Sequence, residues 1–183
     1  MVERNDLAYL SNRLTNYGIK TEFYRASILA NIAIETGSKF IPLMEGNIRA
    51  NPNWTEEKSI RAVKRLFDKG VIRTDYSEPT GPYLKSYFGR GYIQLTWYDN
   101  YLRISKLLNE FKDLVKHPEL LMELDVSSEV AIRGMWHGWF TGRGLKHLSH
   151  SDVVNMNFAA ARRIVNGDYH KIKTRYMRIC NVF

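Results

Sequence analysis

Apolar residues recur at helical spacing along most of this chain, and one central stretch departs from that period. Between Thr21 and Thr36, the residues Leu29, Ile32, Ala33 and Thr36 share a face, and Gly37 supplies the stop. Thr55 reads as an N-cap, followed by Glu56 and Glu57 in the first turn, Ile60, Val63 and Phe67 facing inward, and Gly70 at the end. Residues 71–86, punctuated by Pro79, Gly81 and Pro82, read as loop or short strand. A helix is predicted from about Asp99, with Tyr101, Ile104 and Leu108 inward, and Pro118 starts a short one holding Leu120, Leu121 and Leu124. Ser127 or Ser128 is expected to cap the next. Two last helices are predicted over 152–165 and 169–180, broken at Asn166-Gly167. No repeat, low-complexity tract or linker interrupts this pattern. The expected fold is mainly α, a single domain over residues 1–183 with one small extended element and no separate binding module.

The exception runs from Tyr87 to Tyr101. Gly89 and Gly91 flank Arg90, which favours a tight backbone. Beyond them Ile93, Leu95 and Trp97 fall on one side of a predicted strand, and Tyr92, Gln94 and Thr96 on the other. One side suits a core; the other offers phenol, amide and hydroxyl to a hydroxyl-rich ligand such as a sugar. The same alternation fits a half-buried strand whose polar side meets water.

Glu35 is the carboxyl whose position suggests acid chemistry. It lies three residues after Ile32 and seven after Ile28, and so shares a face with apolar side chains. It also closes its helix, where the dipole disfavours negative charge. Both effects push a carboxyl pKa upward, as a general acid near neutral pH requires. A boundary glutamate that swings out to solvent would have the same spacing.

Composition narrows the classes. With 183 residues, 44% hydrophobic and 13% aromatic, the chain can bury a sizeable core and is not disordered. Its single Cys180 excludes an intramolecular disulfide and reads as a small buried hydrophobe. The opening Met1–Asp6 is polar and charged, so no signal peptide is expected, and no run approaches the roughly 20 apolar residues that span a bilayer. Net charge is +8, and residues 141–183 hold eight Lys/Arg against two Asp. That segment favours anionic polymers (nucleic acid, a membrane surface or cell wall) without choosing among them, and equally fits a solvated face.

The central stretch resembles the segment of family-19 glycoside hydrolases, the chitinases and related phage endolysins, that reads Gly-Arg-Gly-x-Ile-Gln-Leu-Thr/Ser followed by Asn-Tyr. Gly89, Arg90, Gly91, Ile93, Gln94, Leu95, Thr96, Asn100 and Tyr101 all match it. Ile32–Gly37 is similar to the family's helix ending in its catalytic Glu and Ser/Thr-Gly, although Ile34 stands where a histidine is usual. The resemblance implies a lysozyme-like α-rich domain with Glu35 as general acid. A second carboxylate, about 6.5–9.5 Å away in inverting enzymes, would activate water. In bacterial and phage members it usually lies nine residues on. Here Met44 occupies that place and Glu45 follows it, so Glu45 is the candidate base if one residue is inserted near Ser38–Lys39. Glu56, Glu57, Asp75 and Glu78 remain alternatives.

Further matches are looser. Ala161–Gly167 is similar to the family's Arg-Arg-Ile-Asn-Gly segment with one extra residue, and Asp168 stands where a second Gly is common. The resemblance places Asn166 at the substrate and Arg175 near the late arginine that pairs with the catalytic carboxylates. It assigns Gln94, Thr96 and Asn100 to substrate or water. Tyr92 and Trp97 are either sugar-stacking or core aromatics. His147, His150 and Asp152 form a conceivable metal set but read more simply as a polar loop and N-cap; no metal or other cofactor is expected.

The resulting expectation is an endolysin-type hydrolase of β-1,4 bonds in peptidoglycan, or another N-acetylglucosamine glycan. It would be a monomer held in the cytoplasm of an infected bacterium until released, without membrane insertion. A chitinase is the alternative, followed by an inactive glycan-binding relative. A nucleic-acid partner is not expected.

Overall fold

The computed structural model describes residues 6–108 and 113–183, which form eight α-helices, two short 3₁₀ turns and a two-stranded antiparallel sheet. This is the α-rich class expected, with its small extended element. Cα packing divides the chain into two compact units. One gathers the described residues up to Phe40 and Ser128–Phe183; the other is Ile41–Ser127.

The first unit is organised around α2 (Glu22–Glu35), which is buried on nearly every side from Phe23 to Ala33. A helix apolar all round must be covered by others. Here α1 (Asp6–Asn16), α7 (Phe158–Arg162) and α8 (Tyr169–Cys180) pack on it. Its interior polar groups are satisfied locally: Ser27 Oγ donates to the Phe23 carbonyl at 2.7 Å, and Asn31 Nδ2 to the Ser27 carbonyl at 2.8 Å. Phe23 meets Phe158 with ring centroids 5.2 Å apart, and Tyr24 meets Trp136 edge-on at 5.1 Å. Cys180 is buried, and burial pushes its thiol up to about 12, which leaves it inert at neutral pH.

The helices depart from the prediction at three places. α1 had no place in the periodicity reading, yet Leu10 and Leu14 anchor it at i,i+4 spacing. α5 (Leu124–His137) begins before Ser127, whose Oγ accepts from the Tyr92 N–H at 2.8 Å instead of capping. The helix predicted over 152–165 is two: α6 (His150–Val154), capped by Ser149, and α7, started by Asn157 accepting from the Ala160 N–H. Met156 at φ 47° breaks them apart.

In the second unit β1 (Leu43–Met44) pairs with β2 (Arg90–Gly91), Leu43 opposite Gly91 and Met44 opposite Arg90. Thr55 caps α3 (Glu56–Asp68) as predicted, accepting from the Lys58 N–H. The strand predicted beyond Gly91 does not extend. Arg90 and Leu95 exchange N–H···O bonds at 3.2 and 3.0 Å, closing a hairpin turn in which Gln94 sits at φ 51°. Reversal of the chain abolishes the alternation: Tyr92, Ile93 and Leu95 are all buried, and Trp97, just before α4 (Tyr98–Leu107), is exposed.

Arg90 is the centre of this unit. Fully buried, its guanidinium lies 3.6 Å from the Phe88 ring centroid and 3.1 Å from a Glu56 carboxylate oxygen. It donates to the Ser86 carbonyl at 2.9 Å and the Tyr101 hydroxyl at 3.2 Å. Among the described residues no helix is long and apolar enough to cross a membrane. Arg90→Met retains bulk but strips these acceptors of their donor, and should lower unfolding free energy by about 2–4 kcal/mol, read as a lower urea midpoint.

Candidate active site

Glu35 is the last residue of α2, three-quarters or more withdrawn from water with its side chain 18% exposed. Its Oε1 accepts from Arg162 Nη2 at 2.8 Å. Arg162 closes α7 and is itself 1% exposed. Its other edges are filled by Asn31 Oδ1 at 2.8 Å and by the Asp168 carboxylate, at 2.9 Å from Nε and 3.1 Å from Nη2. Asn31 is fixed in turn by donating to the Tyr176 hydroxyl at 3.0 Å. Burial pushes the Glu35 carboxyl above its ordinary value; the Arg162 charge and hydrogen bond oppose that, and the nearby Asp168 charge adds to it. Desolvation wins, so the group holds its proton to higher pH than a free glutamate.

The second unit presents a different carboxylate. Glu45 follows β1, and its backbone N–H donates to the Gly89 carbonyl at 2.8 Å. Its Oε1 accepts from the Tyr76 hydroxyl at 2.6 Å and its Oε2 from the Gly89 N–H at 2.9 Å. Burial, then the hydrogen bond to Glu45, raises the Tyr76 pKa, so the phenol stays a donor. The Tyr76 ring also packs against Trp97 at 4.9 Å.

Gly89 explains how three polar groups converge. A Cβ there would lie 2.9 Å from Gln94 Oε1, 3.0 Å from Glu45 Oε2 and 3.4 Å from Thr96 Oγ1. The bare face of the glycine therefore looks onto a carboxylate, an amide oxygen and a hydroxyl. Gln94 is aimed by its own amide nitrogen, which donates to the Leu43 and Gly91 carbonyls at 2.8 and 3.0 Å. Thr96 Oγ1 donates to the Gln94 carbonyl at 2.9 Å, leaving its lone pairs to accept. The turn that upset the predicted strand thus gathers Glu45, Gln94 and Thr96.

Other expected residues lie elsewhere. Tyr92 is 0% exposed, a core aromatic rather than a stacking platform. Asn100, on the first turn of α4, donates to the Thr96 carbonyl and accepts from Arg103. Asn166 is exposed, its N–H bonded to the Arg162 carbonyl. Arg175 is exposed on α8, and the guanidinium that meets Glu35 is that of Arg162. The difference arises because Arg162 approaches α2 from a helix packed directly on it, whereas Arg175 points off the outer face of α8. His147 and Asp152 serve loop and cap geometry, and no metal-ligating cluster occurs among the described residues.

Arg162, Asp168, Asn31 and Tyr76 were not assigned roles by sequence. Asn31 was the most legible, since it stands one helical turn before Glu35 on the same face.

No protein-family model and no curated protein matches the chain. The crystal structure of a chitinase C mutant is similar, with a TM-score of 0.54 and 20% identity over 94% of this chain and 82% of that one. At that identity the likeness establishes a chitinase-like fold.

The raised Glu35 pKa has a thermodynamic signature. Just above pH 4.5 the folded chain keeps a proton that the unfolded chain has lost, so stability contributed by this group falls as pH rises through that window. Urea unfolding of wild type and Glu35→Gln at stepped pH should show wild type losing stability relative to the variant as pH increases.

Proposed function

We propose that this protein is a glycoside hydrolase that cleaves β-1,4 bonds of an N-acetylglucosamine-containing glycan, with bacterial peptidoglycan as substrate. The observation that carries the reading is the contrast between two carboxyls. Glu35 is desolvated, which raises its carboxyl pKa above the ordinary value; Glu45 is an acceptor for two fixed donors, the Tyr76 hydroxyl and the Gly89 N–H. Such contrast divides acid and base roles between like side chains.

In the proposed reaction Glu35 gives its proton to the glycosidic oxygen as the bond to the anomeric carbon breaks. Water attacks that carbon from the opposite face and loses a proton to Glu45, giving inversion. Gln94 and Thr96 orient the water. Arg162 and Asp168 are positioning residues that hold the Glu35 carboxyl. No cofactor enters these steps.

Peptidoglycan is favoured by the basic segment 141–183, because that polymer is anionic whereas chitin is uncharged. The endolysin role, with release from the cytoplasm of an infected cell, rests on the same reading. Chitin hydrolysis is the second reading, favoured by the likeness to chitinase C.

Purified protein incubated with murein sacculi and, separately, chitin oligomers should release new reducing ends from murein. Glu35→Gln should lower that rate by about 10²–10⁴-fold. Cleavage confined to chitin would replace the first reading by the second, and silence on both would refute hydrolysis. Gly89→Ala tests the space beside Glu45: flexible ends can yield to the new methyl, so the fold persists. The displaced carboxylate and amide should nevertheless cost about 10²-fold in kcat, with circular dichroism unchanged.

A further inference from the structure

A cavity of about 220 Å³ opens in the first unit, remote in purpose from the groups above. Arg143, Gly144 and His147 wall it from the segment after α5, Asp152 from α6, and Asn157 and Arg163 from the two ends of α7. Neither the Arg143 nor the Arg163 guanidinium has a hydrogen bond or ion pair among the described residues. The one acid in the wall is already committed. Asp152 Oδ2 accepts from Ser149 Oγ at 2.7 Å and from the Ser149 N–H at 3.3 Å, and Oδ1 accepts from Asn157 Nδ2 at 2.7 Å. These bonds, led by the Ser149 hydroxyl, hold its carboxyl below the usual range, with the Arg143 charge contributing.

His147 adds a donor. Its Nδ1 accepts from the Gly144 N–H at 3.0 Å, so the neutral ring carries its proton on Nε2. The loop is seated firmly: a Cβ on Gly144 would meet the Trp136 carbonyl oxygen, and would lie 2.6 Å from the Gly138 nitrogen. Two exposed guanidiniums with no acceptor among the described residues, together with the His147 ring, therefore line a space large enough for a single small anion and the carbon that bears it.

We propose that this cavity binds an oxyanion, a carboxylate or a phosphate, carried on a polymeric ligand. Arg162 and Arg163 illustrate the division: the first turns inward to Glu35 and the second outward to the cavity. The site stands whether or not Glu35 is catalytic, because its donors belong to neither carboxylate cluster.

The test is an NMR titration of the full chain with inorganic phosphate and, separately, with lactate, at constant ionic strength. Saturable shifts of the Gly144 amide and the His147 ring are expected. Arg143→Gln/Arg163→Gln should weaken binding at least about tenfold, the loss expected of charge-assisted hydrogen bonds. Lys173→Gln/Arg178→Gln, which removes equal charge from exposed positions on α8, should change it by less than about twofold. Each single arginine variant should weaken binding in the same direction, so a folding failure of the double variant leaves the comparison intact. Tighter binding of phosphate would point to a phosphate-bearing polymer, and of lactate to a carboxylated one. No saturation with either probe, or equal weakening in both double variants, would overturn the proposal.

Discussion

A guanidinium withdrawn from water needs an acceptor along each edge, and the first unit is arranged to meet that need at Arg162. The side chain meets an amide oxygen from α2, a carboxylate from the end of α2 and a second carboxylate just before α8. Removing one member of such a buried group costs about 3–5 kcal/mol, because the remaining charge has no alternative solvent. Three chain segments are consequently fixed by one residue. The same contact also moderates Glu35: burial alone would push the carboxyl further from ionisation than burial opposed by a neighbouring cation.

Arg90 solves the equivalent problem in the second unit by other means. It uses carbonyls, a phenol and the face of Phe88, with the Glu56 carboxylate at its outer edge. This holds the hairpin from within, while Gln94 holds it from the turn. Glu45 is therefore placed by backbone pairing between β1 and β2 rather than by a salt bridge. The two carboxyls differ because one is balanced against charge and the other is framed by neutral donors.

Much of the helical skeleton was legible because apolar spacing and end signals agree: Gly37 after α2, Thr55 before α3, and Asn166-Gly167 before α8. Helix α1 was missed because its buried stripe is narrow, only Leu10 and Leu14. The 92–97 segment was misread for a physical reason. Alternation reports the side of an extended backbone, and a turn with Gln94 in the left-handed region sends odd and even residues into the same core. Of the expected polar residues, Glu45, Gln94 and Thr96 converge even so, since the hairpin preserves their neighbourhood. Arg162 was hidden by being charged. Nothing in spacing distinguishes the buried member of an Arg-Arg pair from the exposed one; the acceptors supplied by Asn31, Glu35 and Asp168 do.

The division of the chain also sets an order on synthesis. The second unit is one continuous segment, so its partners emerge together. The first unit is built from segments on either side of it, and α2 is covered by α8, more than a hundred residues later. At about 5–20 residues per second, the most apolar helix leaves the ribosome on the order of ten seconds before its cover. Until then an all-round apolar helix lacks part of its native cover, and the nascent chain exposes at that stage the apolar surface that favours association.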